Sequence, residues 1–272
     1  MSEVTGFVGV GSQGGPMAHR MIDGGYPLVV WARRPEVLEA YTAKGAAAAA
    51  TVAELSAACD HVGICVVNDA DVLSITDQLI PAMKPGSRIA IHSTILPETV
   101  AKLEAQCDQA GLLFIDAPVS GGSPAAEAGT LTVMCGARQE AFDAALPVFR
   151  TFGRMVVLLG PAGAGQRAKI INNAMLAANM GIAHGAMAAA DAMGVDRKAL
   201  AELVKESSGR SMGFEVYARL PEPAAFKVGA PMLAKDVDLL KTVLPDDWGA
   251  ELLRAAAEPF LTAANAASNP NP

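Results

Sequence analysis

Lys169 and Asn173 stand four residues apart in the run Gly163-Ala164-Gly165-Gln166-Arg167-Ala168-Lys169-Ile170-Ile171-Asn172-Asn173. On a helix that spacing leaves only about 40° between them, so an ammonium and a carboxamide face the same way. Together they can address one oxygenated carbon. Lys169 can protonate a forming alkoxide or take the proton of an alcohol, while Asn173 fixes the hydroxyl or carboxylate. Taken alone, the pair reads equally well as an exposed lysine beside a capping or interhelical asparagine.

A second candidate is Asp116-Ala117-Pro118-Val119-Ser120-Gly121-Gly122. Ser120 offers a hydroxyl, and Gly121-Gly122 lets backbone N–H groups close on an anion such as a carboxylate. By itself this stretch is equally a tight loop. The third is Gly9-Val10-Gly11-Ser12-Gln13-Gly14. This glycine pattern, between a strand and a helix, permits a tight turn at Gly9, backbone approach to a pyrophosphate at Gly11, and close helix–strand packing at Gly14. Ser12 and Gln13 lie inside it, where the helix N-terminus favours phosphate.

The elements that must carry these residues alternate. Gly6 to Val10 reads as a strand, Pro16 to Gly24 as a helix and Pro27 to Trp31 as a strand, one βαβ unit. Helices come next at 52–58, 72–83 and 97–110, and strands at 61–67, 88–92 and 112–116. That alternation predicts a Rossmann-type doubly wound α/β sheet, mainly parallel. The pattern changes after Gly160-Pro161-Ala162-Gly163. A helix of roughly 28 residues, 166–193, spans about 42 Å at 1.5 Å per residue, and much of it is apolar on every side. Further helices lie at 197–207, 233–244 and 250–264, and 265–272 reads as a frayed tail. The expected organisation is a dinucleotide-binding domain over 1–161 and a helical substrate and dimerisation domain over 162–272.

Cofactor choice is read at the tip of the second strand, Trp31-Ala32-Arg33-Arg34, which has no carboxylate to hold a ribose 2′-hydroxyl. Arg33 and Arg34 suit a 2′-phosphate, which predicts preference for NADP(H), with NAD(H) as the alternative.

Composition narrows the class. A net charge of −7 opposes a nucleic-acid surface. No apolar run reaches membrane-spanning length, and the N-terminus lacks a basic segment followed by an apolar one, so a cytoplasmic protein is expected. Cys59, Cys65, Cys107 and Cys135 have no paired spacing and read as free thiols, and the four histidines show no metal-ligand spacing, so no metal is expected.

Four stretches in order resemble the β-hydroxyacid dehydrogenase family, within the 6-phosphogluconate dehydrogenase superfamily: GFVGVGSQGGPMA from Gly6, DAPVSGGSPAAEAGTLTVMCG from Asp116, GAGQRAKIINN from Gly163 and KDVDLL from Lys235. The resemblance covers nearly the whole chain. It implies two domains, a homodimer or homotetramer, and a small hydroxy-carboxylate as substrate. It also implies Lys169 as acid/base, Ser120, Gly121, Gly122 and Asn173 as substrate contacts, Lys235 beside the nicotinamide, and Val67, Asn68 and Thr94 lining the cofactor. A second cation at Lys235 would offer a route to depress the Lys169 pKa.

The chain departs from the family pattern at Pro124-Ala125, at Ile91-His92 and in its short C-terminus. His92 is read as structural, with a pocket-facing ring as the alternative, and His184 as a packing residue. An imine reductase-like enzyme and a non-catalytic NADP-binding regulatory protein are the competing readings.

Overall fold

The computed structural model describes residues 3–227 and 229–266. The chain divides into two compact units, residues 1–169 and 170–272. The first unit opens with β1 (Thr5–Val8), α1 (Gly14–Asp23), β2 (Leu28–Trp31), α2 (Glu39–Thr42), β3 (Ala47–Ala48), α3 (Val52–Ala58), β4 (His61–Ile64) and α4 (Asp69–Leu79). It continues with β5 (Arg88–Ile91), α5 (Pro97–Gln109), β6 (Leu113–Asp116), β7 (Val119–Ser120), α6 (Gly122–Glu127), β8 (Leu131–Ala137), α7 (Gln139–Phe149) and β9 (Gly153–Gly160).

The strands form one sheet in the order β3-β2-β1-β4-β5-β6-β8-β7, with β9 also paired to β8. Strands β1 to β6 run parallel, whereas β8 is antiparallel to β6 and β7. Strand order reverses between β1 and β4, and ligands of open α/β sheets bind at the carboxyl edge of such a reversal. Alternating side chains leave the sheet on both faces. In β1, Phe7 joins the core over α1, α6 and α7, while Val8 joins the one over α3, α4 and α5. Burial on both faces explains why these strands read as short apolar runs rather than alternating patterns.

Local sequence sets several helix starts. Thr51 accepts from the Glu54 N–H at 3.1 Å, and Asn68 accepts from the Asp71 N–H at 2.9 Å. Each satisfies an orphan N–H of a first turn. The Asn68 cap starts α4 at Asp69, earlier than apolar periodicity suggests, and Pro81 lies in the 3-10 turn that ends the segment.

The long helix α8 (Ala164–Ala192) begins in the first unit and continues in the second. In the second unit it is followed by α9 (Arg197–Lys205), α10 (Met212–Ala218), α11 (Gly229–Val243) and α12 (Trp248–Ala266). Their core gathers Ile170, Ala177, Met180, Phe214, Leu233 and Phe260. Asn265 and Ala266 complete α12, and the rest of the expected tail lies outside the described residues. The four cysteines are free. Among the described residues no helix is long and apolar enough to cross a membrane, and no cluster of potential metal ligands occurs.

Candidate functional site

The turn between β1 and α1 has the shape of a phosphate cradle. Gly9 has φ +91°, and a Cβ there would run into the Cys65 carbonyl; a Cβ at Gly14 would meet the Gly9 carbonyl. Gly11 differs: a Cβ built on it meets nothing within 4 Å. The protein therefore has no internal reason to exclude a side chain at Gly11, while a ligand lying against the backbone would. Helix α1 has no acidic residue in its first turn and no side-chain cap, so its positive end is not answered from within. The exposed Ser12 and the half-buried Gln13 complete the turn, and Gln13 Nε2 is a buried donor with no acceptor among the described residues. These features fit a bound dinucleotide pyrophosphate.

Beside the turn, Arg33 and Arg34 come after β2, both exposed. Arg33 contacts Asp71 Oδ1 at 3.0 Å. Val67 and Asn68 stand exposed before α4, and the Asn68 carboxamide oxygen is engaged as the helix cap. The next loop is knitted to this one. Ser93 Oγ accepts from the Val66 N–H at 2.8 Å, and Asp69 accepts from the Leu96 N–H at 2.9 Å and the Thr99 hydroxyl at 2.6 Å. Thr94 sits half-buried between those anchors.

The Ser120 loop lies on the same unit. Gly121 has φ +131°, and its Cβ would stand 2.5 Å from that of Ala125, so backbone conformation and space both demand glycine. Gly122 then opens α6. Ser123, one residue further, donates its hydroxyl to the Ser12 carbonyl at 2.6 Å. That bond ties the proposed anion loop directly to the glycine turn.

The start of α8 is fixed by two buried residues whose roles are not apparent from sequence. Asp116, at the end of β6, accepts from the Gly163 N–H at 2.6 Å and the Gln166 N–H at 2.7 Å. Burial pushes its carboxyl up to about 6, against the opposing pull of those backbone hydrogen bonds and of Arg167. The Gln166 side chain donates to the Ser93 carbonyl at 2.7 Å and accepts from the Ile95 N–H at 3.1 Å. Lys169 stands half-buried one turn beyond Gln166. Its position along α8 is thus set from the carboxyl edge of the sheet and from the Thr94 loop at once.

Asn173 belongs to the second unit, one helical turn after Lys169 on α8. Its Nδ2 donates to Asp236 Oδ2 at 2.6 Å, and its Oδ1 accepts from Asn172 at 3.1 Å. Asp236 is buried on α11, and its Oδ1 lies 3.8 Å from the Lys235 ammonium. The sequence offers Asp236 only as an ion-pair neighbour of Lys235 within KDVDLL; its contact with Asn173, 63 positions away, has no local signal.

His92 is a core residue. Burial pushes its imidazole down to about 4, Nδ1 lies 2.8 Å from the Ala117 carbonyl, and the ring stacks near Phe7. His184 contacts the Tyr217 hydroxyl at 2.9 Å, which is packing within the second unit.

Comparison with known proteins agrees with this architecture. Residues 4–160 match the family described as the NAD binding domain of 6-phosphogluconate dehydrogenase. Residues 163–270 match the family described as NAD-binding of NADP-dependent 3-hydroxyisobutyrate dehydrogenase. The chain is 37% identical over 245 residues to the NAD-dependent L-serine dehydrogenase of Pseudomonas aeruginosa, covering 86% of this chain and 82% of that protein. It is 35% identical over 219 residues to the mitochondrial 3-hydroxyisobutyrate dehydrogenase of Mus musculus, covering 79% of this chain and 65% of that one. Among solved structures, the Mycobacterium tuberculosis 3-hydroxyisobutyrate dehydrogenase with L-serine superposes with a TM-score of 0.87 at 26% identity, covering 99% and 95% of the two chains.

Proposed function

The chain belongs to the β-hydroxyacid dehydrogenase family, and from that premise we propose that it is an NADP(H)-preferring oxidoreductase of a small β-hydroxy acid and its carbonyl partner, with Lys169 as the acid/base. When bound, the nicotinamide supplies a two-electron hydride acceptor or donor. The chain's own residues would do the rest. In oxidation, a neutral Lys169 amine takes the hydroxyl proton as hydride leaves the carbinol carbon and the C–O bond becomes a carbonyl. In reduction, the Lys169 ammonium returns that proton to the alkoxide oxygen.

Ser120 and the backbone of Gly121 and Gly122 would hold the substrate carboxylate, and Asn173, its amide oriented by Asp236, would hold the hydroxyl. Gly9, Gly11, Ser12, Gln13 and Gly14 would take the pyrophosphate, with Val67, Asn68, Thr94 and, by the family resemblance, Lys235 lining the rest of the cofactor. Arg33 and Arg34, with no acid at the β2 tip, support the preference for NADP(H). L-serine and 3-hydroxyisobutyrate, named for the relatives, are the first substrates to assay.

The observation that carries this reading is the anchoring of three chemistry-bearing segments in one unit. The Ser123–Ser12 bond joins the anion loop to the glycine turn, and Asp116 with Gln166 fixes the helix that bears Lys169. Lys169→Ala should lower kcat by about 10²- to 10⁴-fold while the dinucleotide Kd stays within about twofold. Near-normal turnover by that variant would reject the assignment.

A homodimer or homotetramer is part of the proposal. Ile171, Met175 and Ile182 are at least half exposed on α8, and with the exposed Ala186 and Ala189 they form one stripe. A second copy of this chain is the occupant we assign to it. Four free thiols fit a cytoplasmic setting.

A further inference from the structure

We propose that Asp71 is a selectivity residue for the cofactor, acting as a built-in competitor of the 2′-phosphate for Arg33. This inference rests on the reading above that Arg33 faces the 2′ position.

The sheet places β1 between β2 and β4, so the segments leaving those two neighbours flank the glycine turn after β1. Arg33 lies just past β2, and Asp71 is the third residue of α4, the helix after β4. The 3.0 Å contact between the Arg33 guanidinium and Asp71 Oδ1 therefore links the two segments on either side of the turn. The partners are unequal. The Arg33 side chain is 67% exposed on a loop, whereas the Asp71 side chain is 22% exposed and sits on a helix whose first turn Asn68 caps through the Asp71 N–H. The positive end of α4 further favours a carboxylate there. Arginine is thus the adjustable member and aspartate the fixed one.

A guanidinium has five N–H donors and can serve two acceptors. A 2′-phosphate on Arg33 must nevertheless either displace the Asp71 carboxylate or lie beside a like charge. Both raise the free energy of the phosphorylated dinucleotide alone, because a 2′-hydroxyl carries no charge for Asp71 to oppose. An acid at the β2 tip would favour the unphosphorylated cofactor by accepting from the hydroxyl. Here an acid two strands across works in the same direction by holding back the arginine. Asp71 is accordingly predicted to restrain, and not to create, the preference for NADP(H).

The test is calorimetric titration of the full chain with 2′,5′-ADP and with 5′-AMP, for wild type, Asp71→Asn, Arg33→Ala and the double variant at one low ionic strength. Asp71→Asn should tighten 2′,5′-ADP by about 3- to 10-fold, as expected for removing a like charge several ångströms away near a surface, with 5′-AMP within about twofold. The gain should vanish in the Arg33→Ala background. An unchanged or weakened 2′,5′-ADP affinity, or the same gain without Arg33, overturns the proposal. If Arg33→Ala leaves the ratio of the two affinities unaltered, the assignment of Arg33 to the phosphate fails, and the inference with it. If Arg33→Ala collapses the ratio and Asp71→Asn does nothing, only the role of Asp71 fails. Retained 5′-AMP binding confirms that each variant folds, and Asp71→Ser serves as the second neutralising variant.

Discussion

Replacing Asp116 by Asn separates the stability of the first unit from its catalytic geometry. The Asp116 carboxyl is fully buried, and burial raises it from 3.8 to about 6 despite two backbone N–H donors at 2.6 and 2.7 Å. A group raised in the folded state keeps its proton over a range in which the unfolded chain has lost it. Stability therefore falls as pH rises from about 4 to about 6 and then levels off. The difference of about 2 pH units corresponds to about 3 kcal/mol at neutral pH, at 1.36 kcal/mol for each. Asparagine has nearly the shape of the protonated acid and does not ionise. Asp116→Asn should be less stable than wild type near pH 4, by about 1–3 kcal/mol for the buried N–H left without an acceptor. It should recover that deficit by pH 7, where the wild type has lost up to about 3 kcal/mol. The asparagine amide nitrogen cannot accept the second N–H, so the first turn of α8 must shift and kcat should fall by about 10²-fold, as for an ångström-scale misplacement. Urea unfolding of both proteins between pH 4 and 7.5, with steady-state kinetics, reads both effects. A wild-type-minus-variant stability that rises with pH would show that the helix-end N–H groups outweigh burial, and would refute the reasoning.

Two further outcomes test the cofactor turn and the α8 stripe. Gly11→Ala adds a methyl that meets nothing in the protein, so unfolding should change by less than about 1 kcal/mol, while dinucleotide affinity falls at least about tenfold; titration and thermal melts decide it. Ile182→Glu, alone or with Met175→Glu, should convert the proposed homodimer or homotetramer to monomers in sedimentation velocity while leaving the far-ultraviolet circular dichroism unchanged.

The parts legible in the sequence are those specified locally. The glycine turn lies between β1 and α1 as its pattern requires, and the long helix runs 164–192 against an expected 166–193, because a long Ala-, Met- and Ile-rich run without proline marks it. The stretch from Val119 to Gly160 does not separate into elements by pattern. It contains a two-residue strand, a six-residue helix, the antiparallel β8 and a helix with Pro147 inside it, each too short or too atypical to show a period. The helix α10 is hidden for the same reason. At the candidate site, Lys169 and Ser120 stand out by residue type and neighbours. Asp71, Asp116, Gln166 and Asp236 do not, because each acts through partners 38 to 73 positions away that only folding brings near.

The tether at the start of α8 divides the chain into stretches that can and cannot change length. Insertions in the turns that join α6, β8, α7 and β9 can be absorbed as looped-out backbone, since Asp116 and Gln166 re-establish where the helix begins. Between Gln166 and Asn173 there is no such slack: one inserted residue turns everything after it by about 100° and carries the carboxamide away from the amine. Length drift in relatives should therefore collect upstream of the tether, with the seven-residue step from Gln166 to Asn173 kept as an indivisible gauge.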